Sequence, residues 1–301
     1  MDLLAIDIGG TKHALALFRD GRMARRETYP TDVAGGRPWM AERLATLAGE
    51  WSGAAPPAAC GIGFGGPVDW TSQRVGRSMH VGGWQDFPLA GFLEEKLGCP
   101  CRVDNDANLG GLGEYRAGAA CGVGWLLYVT LSTGIGAGLL LNGRIVRGAD
   151  SLAGELGHLP LDDDGPECSC GGRGCLEAYC AGRAIESRAG RPAAELLADP
   201  AFRQNYVPLL ARGLRAALML LNPERMVIGG GLSKAGPAFF EDLRAELRRQ
   251  LPASLPARVD LQPAALGDDA VLWGAAALAE ETLGTGSPPG TIRKRPSGAM
   301  S

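Results

Sequence analysis

The chain has 301 residues, 46% hydrophobic and 21% charged, which is enough for about two globular domains. Its 30 Lys and Arg against 33 Asp and Glu give a formal net charge of −3, which implies no basic surface for nucleic acid. No run approaches the roughly 18 apolar residues of a membrane span. Residues 1–7 lack the basic start of a secretory signal, so we expect a cytoplasmic protein.

Strand-like and helix-like segments alternate along the chain. Short apolar runs predict strands, and apolar residues spaced three and four apart predict helices. The predicted strands are 3–8, 14–18, 59–64, 125–131, 137–141 and 226–228, and the predicted helices are 39–51, 89–97, 207–221, 240–251 and 270–283. This alternation indicates an α/β protein. Residues 285–301 are rich in Gly, Ser, Pro, Arg and Lys, which predicts a disordered tail.

One strand–loop–strand unit occurs twice. Asp-Gly and Asn-Gly turns close the two hairpins, and an offset of 122 residues aligns Gly21 with Gly143 (143 − 21) and Thr11 with Thr133 (133 − 11). Coincidence between two glycine-rich hairpins is the alternative. We interpret the repeat as a duplication, with one unit in each half of the chain.

Each unit carries a glycine-rich loop that suits an anion. Asp7 ends the first strand, and the loop 9–12 adds two glycines, a threonine and a lysine, which supply N–H, hydroxyl and ammonium donors. The second loop, with Thr133 and Gly134, has the same character without a charge. Neither loop has Walker A or dinucleotide-binding spacing. A tight hairpin explains either loop alone, but the pair predicts one polyphosphate held between two halves.

Two acids lie where a strand gives way to a helix. Asp104 and Asp106 are two residues apart, and the residues that follow read as a helix. One interpretation is that Asn and Asp residues of this segment cap the helix. The other is a carboxylate held at the junction to accept a proton from a substrate hydroxyl. Chemistry alone does not separate the two.

A compact set of soft ligands occupies residues 158–175. His158, Cys168, Cys170 and Cys175 supply one imidazole and three thiols, the donors of a closed tetrahedral zinc site, with glycines that let the loop wrap an ion. We therefore predict a structural zinc, the alternative being four unrelated buried side chains. Cys180 is a spare thiol that we expect in the core.

Acids flank this set, and two histidines stand apart from it. Glu155 and Glu177 could face a polyol, although surface acids are the simpler interpretation. His13 and His80 are isolated, and we expect no functional role from either as a lone histidine.

These motifs together resemble the ROK family of bacterial sugar kinases, from residue 7 to about residue 283. The markers are the segments 7–12, 105–108, 131–138, 168–177 and 229–231, together with Gly148, Gly154, Gly157 and His158. The resemblance implies an actin-like ATPase fold, in which two duplicated ribonuclease-H-like domains flank a cleft. A small domain would comprise 1–117 and 268–284, and a large domain with the zinc loop would comprise 118–267.

The resemblance also implies ATP-dependent phosphorylation of a hexose, with Mg²⁺, a structural Zn²⁺ and a homodimer, and with no membrane or nucleic-acid partner. Asp106 would be the general base on the 6-hydroxyl. The sugar-binding residues would be Gly66, Asn105, Asp106, Glu155, His158 and Glu177. The phosphates and Mg²⁺ would be served by Asp7, Gly9, Gly10, Thr11 and Lys12, with Thr133 and Gly134 on the second loop and Gly229 and Gly230 beside the nucleotide.

Two segments depart from the family pattern. Residues 77–84 replace a sugar-contact stretch that often contains Pro-Asn, and 64–67 differ from the commoner Pro-Gly form. His80 would then replace an Asn as hydroxyl partner. We favour glucose as substrate and keep N-acetylmannosamine, N-acetylglucosamine and fructose as competitors.

A sugar-sensing transcriptional regulator is the alternative of another class. Such family members carry an N-terminal helix-turn-helix, whereas the first strand here begins at about residue 3. We therefore expect an enzyme.

Overall fold

The computed structural model describes residues 1–52, 55–78, 81–252 and 260–284. The predicted disordered tail, 285–301, and His80 lie outside these residues. The strands are β1 (Asp2–Ile8), β2 (Lys12–Arg19), β3 (Arg22–Pro30), β4 (Ala59–Phe64), β5 (Val68–Asp69), β6 (Arg74–Val75), β7 (Cys101–Asn105), β8 (Trp125–Leu131), β9 (Ile135–Leu141), β10 (Arg144–Ile145), β11 (Arg225–Gly229) and β12 (Leu261–Pro263). The helices are α1 (Gly36–Ser52), α2 (Leu89–Leu97), α3 (Asp106–Ala117), α4 (Leu176–Cys180), α5 (Gly182–Ala189), α6 (Ala193–Ala198), α7 (Pro200–Leu221), α8 (Pro237–Gln250) and α9 (Ala270–Thr282).

Two five-stranded sheets share one design. The first has the order β3-β2-β1-β4-β7, in which β3, β2 and β1 are antiparallel and β1, β4 and β7 are parallel. The second has the order β10-β9-β8-β11-β12 and repeats this arrangement strand for strand. The duplication that the hairpins predict is therefore present in the strand order.

The two glycine loops differ in length by one residue. Residues 9–12 separate the paired strands of the first hairpin, and residues 132–134 separate those of the second. The offset between the halves is thus 123 before the loop (131 − 8) and 122 after it (135 − 13). Thr130 consequently stands in the second sheet where Asp7 stands in the first, so the first half alone places a carboxylate at this register position.

Helices α3 and α9 cross between the sheets at two glycines. A Cβ at Gly113 would lie 2.0 Å from the carbonyl oxygen of Ala270, and one at Gly274 would lie 1.9 Å from that of Leu109. The two backbones approach so closely that no larger side chain fits. Because α9 also packs on β1 and β4, and α3 on β8 and β9, the crossing joins the halves.

Glu114 fixes the ends of both crossing helices from inside. Its side chain is fully buried. The carboxylate accepts the N–H groups of Ala119 at 2.6 Å, Ala265 at 3.0 Å and Leu266 at 2.8 Å. Since Ala265 and Leu266 lie between β12 and α9, one side chain ties the segment leaving α3 to the segment entering α9.

Apolar faces of the outer helices complete two cores. Met40 and Leu93, from α1 and α2, are buried with the residues of the first sheet. Leu210 and Phe239, from α7 and α8, are buried with those of the second. Each such side chain contributes about 1.5–3 kcal/mol by leaving water. Stability therefore rests on the cores, and the strand ends are left for polar groups.

Every predicted strand and helix is present, but α7 begins seven residues before the predicted start at 207. Asp199 caps that helix by accepting the Ala201 N–H, and Pro200 takes the first turn, where its missing N–H costs nothing. The edge strand β3 and the short helices α4 to α6 were not predicted from the sequence. Within the ranges described, none of the helices is long and apolar enough to cross a bilayer.

Candidate active site

Asp106 begins α3 at the point where β7 ends. Asn105 is the helix N-cap, because its Oδ1 accepts the N–H groups of Ala107 at 2.9 Å and Asn108 at 3.3 Å. Its Nδ2 donates to the carbonyl oxygen of Gly66 at 3.1 Å. Asp106 Oδ1 shares the Ala107 N–H at 2.8 Å. The capping role therefore belongs mainly to Asn105, the residue between the two acids.

The Asp106 carboxylate lies beside the first glycine loop. A Cβ at Gly65 would lie 3.5 Å from Asp106 Oδ2, 3.8 Å from the Cα of Gly9 and 3.2 Å from the carbonyl oxygen of Ile8. Gly65 therefore lies between the Asp106 carboxylate and the first glycine loop. A Cβ there would make ordinary contact with both and a tight contact only with the Ile8 carbonyl oxygen.

Two carboxylates with raised pKa values meet at this point. Burial raises the pKa of Asp7 to about 7, and repulsion from Asp106 is the second cause, opposed by Lys12. Burial likewise raises the pKa of Asp106 to about 6, and the charge of Glu155 adds to the rise. A carboxylate whose pKa lies near the working pH can take a proton from a hydroxyl. A second one beside it favours a bound cation.

The first loop is closed at its base and open at its tip. Within residues 9–12, the Gly9 N–H donates to the carbonyl oxygen of Lys12 at 3.0 Å, Gly10 is half-buried, and Thr11 and Lys12 are exposed. Lys12 Nζ lies 3.5 Å from Asp268 Oδ2, and Lys234 Nζ lies 2.8 Å from Oδ1. Lys12 and Lys234, each of which follows a glycine-rich segment of its own half, therefore contact the same Asp268 carboxylate.

Glu177 closes the second glycine loop. Its Oε2 accepts the N–H of Ile135 at 2.9 Å, and a Cβ at Gly134 would lie 2.7 Å from the same oxygen. Thr133, beside Gly134, is exposed. The other carboxylate oxygen, Oε1, accepts the hydroxyl of Ser169 at 3.1 Å. Glu177 thus joins the second loop to the loop that carries the cysteines.

His158 presents its two ring nitrogens to different groups. Nδ1 lies 3.6 Å from Cys168 Sγ, and Nε2 lies 3.8 Å from Glu155 Oε2. Burial raises the pKa of Glu155, with His158 opposing the rise and Glu177 adding to it. The imidazole therefore stands between the cysteines and a pair of acids.

The four predicted zinc ligands come together. The donor atoms of His158, Cys168, Cys170 and Cys175 all lie within 4.8 Å of one another. The sulfurs of Cys170 and Cys175 are 3.7 Å apart, and Cys168 Sγ is 3.6 Å from His158 Nδ1. Tetrahedral zinc, with bonds of about 2.3 Å to sulfur and 2.0 Å to nitrogen, implies separations of about 3.8 Å and 3.5 Å. The cluster fits zinc and leaves no coordination position for substrate.

The glycines at 229–230 have a packing role of their own. A Cβ at Gly229 would lie 2.3 Å from the hydroxyl oxygen of Tyr128. Gly230 has a φ of +83°, and its Cβ would lie 2.3 Å from the carbonyl oxygen of Leu131. Both glycines therefore border the strand that leads into the second loop.

Several side chains at the site were missed by sequence reasoning. Arg147 Nη2 lies 2.6 Å from Asp104 Oδ2, and Ser169 and Lys234 make the contacts given above. No local motif surrounds Arg147, so spatial pairing alone reveals it. Ser169 lies inside the Cys-Ser-Cys segment, whose thiol spacing indicates a metal site and gives no sign of a role for the serine.

Comparison with known proteins decides the family. The model described as the ROK family matches residues 3–282. The chain belongs to the ROK family. A glucokinase from Thermotoga maritima is 32% identical over 94% of this chain and 99% of its own length. An N-acetylmannosamine kinase from Citrobacter koseri is 34% identical over 93% of this chain and 99% of its own length.

Solved structures of ROK proteins share the fold. The ROK hexokinase from Thermus thermophilus has a TM-score of 0.81 at 38% identity, covering 95% of this chain and 100% of that one. A ROK family glucokinase from Streptomyces griseus, in complex with glucose and AMPPNP, has a TM-score of 0.80 at 29% identity, covering 93% and 100%. The family resemblance and the two-domain actin-like fold expected from it are thereby confirmed.

Proposed function

We propose that this ROK chain is an ATP-dependent hexose kinase that phosphorylates the 6-hydroxyl of a hexose, with glucose the favoured acceptor. The observation that carries the proposal is the placement of Asp106. Asp106 is the first residue of α3, and its carboxylate lies beside the first glycine loop with a pKa raised to about 6. The identities to kinases of hexoses and N-acetylhexosamines support the same chemistry.

Asp106 acts as the general base. At neutral pH a carboxylate with a pKa of about 6 is largely ionised yet basic enough to accept a proton. The acceptor oxygen forms its bond to the γ-phosphorus as its proton passes to Asp106. The bond from that phosphorus to the bridging oxygen breaks, and ADP leaves. Positioning and charge neutralisation supply most of the catalysis in such transfers.

The two glycine loops hold the phosphates. We assign Gly9, Gly10, Thr11 and Lys12 to one side of the triphosphate and Thr133 and Gly134 to the other, with Gly229 and Gly230 bordering the nucleotide. Asp7 would hold Mg²⁺, since its carboxyl is buried beside a second carboxylate and a hard cation relieves that repulsion. The bound ion would neutralise charge on the phosphates.

The sugar is held from both halves of the chain. The Asn105 side-chain amide donates one N–H to the Gly66 carbonyl and has a second N–H available to a sugar hydroxyl. Glu155, His158 and Glu177 face it from the other half. Zinc on Nδ1 of His158 would fix the ring, so that Nε2 stays on the Glu155 side. The zinc is therefore assigned a structural role.

N-acetylmannosamine is the second candidate acceptor, favoured by the 34% identity to an N-acetylmannosamine kinase. N-acetylglucosamine and fructose remain in the same class. The cytoplasmic location expected from residues 1–7 and the homodimer implied by the family stay predictions, as do the domain bounds 1–117 with 268–284 and 118–267.

An ADP-release screen with ATP and Mg²⁺ tests the proposal. The panel holds glucose, mannose, fructose, N-acetylmannosamine and N-acetylglucosamine, and phosphorus NMR locates the ester on each product. We expect one favoured sugar with a 6-phosphate ester formed in step with ADP. ADP release that is independent of sugar, or no turnover with any member, contradicts the proposal.

A further inference from the structure

A buried ion pair lies behind the sugar site. The guanidinium of Arg147 donates from Nε at 2.8 Å and from Nη2 at 2.6 Å to Oδ2 of Asp104. The Asp104 side chain is 3% exposed and that of Arg147 is 19% exposed. The guanidinium also lies over the ring of Trp70, 3.6 Å from its centroid. Ring and carboxylate thus hold it in one orientation.

This pair joins the two halves of the chain. Asp104 belongs to β7 of the first sheet, and Trp70 follows β5. Arg147 follows β10 of the second sheet. A further bond runs between the same segments, because the Trp70 N–H donates to the Ser151 hydroxyl at 3.1 Å. The loop after β10 is therefore docked on the first half by three contacts, the ion pair, the stacking on Trp70 and this hydrogen bond.

On the first half, Asp104 is rigidly connected to the proposed base. Its Oδ1 accepts the N–H of Asn105 at 2.7 Å and the Nδ2 of Asn108 at 2.9 Å. Asn105 in turn caps α3, whose first residue is Asp106. A displacement of the Asp104 carboxylate would therefore be transmitted to the residue that reacts.

On the second half, Arg147 is connected to the proposed sugar-binding acids. Its carbonyl oxygen accepts the N–H of Ala153 at 3.0 Å, which closes the loop, and the Gly154 carbonyl accepts the N–H of Ala137 in β9 at 3.0 Å. Glu155 follows directly. The ion pair therefore joins the segment that carries Asn105 and Asp106 to the segment that carries Glu155.

We propose that Arg147 is a positioning residue of the sugar site, which sets the separation between Asp106 and Glu155 through its pair with Asp104. This inference rests on the proposed kinase function. The phosphate loops at 9–12 and 132–134 make none of these contacts among the residues described. Loss of the pair should therefore weaken use of sugar far more than use of ATP.

Steady-state kinetics of Arg147→Gln, Asp104→Asn and the double variant tests this assignment. A shift of about 1 Å in a reacting group can cost a hundredfold in rate, so displacement of Asp106 should also lower kcat. We expect Arg147→Gln to raise the KM for sugar by about tenfold or more, with the KM for ATP changed by less than about twofold. The double variant should be no worse than Arg147→Gln, since it leaves no unpaired buried charge. Arg147→Lys, which keeps the charge without the planar fork, should recover part of the loss.

Arg203→Gln is the matched control. Arg203 is 10% exposed and pairs with Asp242 at 2.7 Å, between α7 and α8 and outside the site. The Arg203→Gln variant should have a lower melting temperature and an unchanged KM for sugar. If Arg147→Gln does not fold, Trp70→Leu, which removes the stacking alone, should show the same selective effect on sugar. A wild-type KM for sugar in these variants, or equal increases for sugar and ATP, overturns the assignment.

Calorimetric titration with D-glucose and with N-acetyl-D-mannosamine separates this inference from the proposed function. Wild-type protein that binds a sugar without transferring phosphate contradicts the kinase, and weaker binding by Arg147→Gln would still support positioning. An active kinase whose Arg147→Gln variant binds sugar normally contradicts positioning alone. Wild-type protein that binds neither sugar and phosphorylates none contradicts both.

Discussion

Glu177 accepts the backbone N–H of Ile135 at 2.9 Å, and so a carboxylate assigned to the sugar closes the loop assigned to the phosphates. Its second oxygen accepts the hydroxyl of Ser169, which lies between two of the proposed zinc ligands. One side chain therefore connects the three parts of the site. A change in the cysteine loop should therefore affect both sugar binding and phosphate binding through Glu177.

The acid limb of the pH profile, where activity falls at low pH, should report the protonation of Asp106. Because the base must be ionised, kcat/KM should fall as pH drops through about 6. The charge of Glu155 contributes to that raised pKa, so Glu155→Gln should move the limb to lower pH even if it also lowers the rate. Profiles of kcat/KM for both proteins measure the shift. A limb at the same pH in both would show that the two acids are not electrically linked.

Ionisation of the Asp106 carboxyl group should lower the free energy of unfolding. Its folded pKa of about 6 lies above the ordinary 3.8, so its favourable contribution is complete below 3.8 and is lost as pH rises through about 6. Asp106→Asn should therefore raise the melting temperature at about pH 8 but not near pH 4. Scanning calorimetry at the two pH values makes the comparison. A variant that is less stable at the higher pH would contradict the assigned burial cost.

Zinc should be bound at about one ion per chain and should support the fold. Cys170→Ser removes one ligand and should lower both the zinc content and the melting temperature, the latter by at least about 5 °C. Cys121→Ser changes an exposed thiol outside the cluster and should alter neither. Elemental analysis of protein purified without chelator supplies the count. Metal-free protein of normal stability would remove zinc from the account.

Glu114 should be a strong stability determinant. Its buried carboxylate accepts three backbone N–H groups, and bonds to a charged group contribute about 1.5–3 kcal/mol each. Glu114→Gln loses the charge and turns an NH₂ group toward donors, so we expect a loss of about 3 kcal/mol in the free energy of unfolding. Glu241→Gln, at an exposed position of α8, should change it by less than about 0.5 kcal/mol. Urea denaturation measures both, and equal values for the two variants would contradict the role of Glu114.

Local signals predicted the elements because their causes are local. The hairpin turns after Arg19 and Leu141, the apolar spacing of α7 and the clustered thiols can all be read within a few residues of sequence. The edge strand β3 was missed because most of its residues are exposed, so it lacks an apolar pattern. The fold as a whole came from the family resemblance, since no local pattern specifies how two sheets pair across α3 and α9.

The candidate site divides in the same way. The sequence indicated an acid at the end of β7 but left capping and proton transfer open, and the structure shows that Asn105 takes most of the cap. Proton transfer by Asp106 stays a proposal. Arg147 and Glu177 acquire their contacts from residues 43 and 42 positions away in the chain. Such pairings follow from the fold, so spacing in the sequence gives no sign of them.

The central claim is tested most directly by the turnover of Asp106→Asn beside its affinity for the sugar. With the favoured hexose, ATP and Mg²⁺, kcat should fall by about 10²–10⁴-fold while the sugar dissociation constant stays within a few-fold of wild type. A variant that folds, binds sugar and still turns over at a near-wild-type rate would contradict the account.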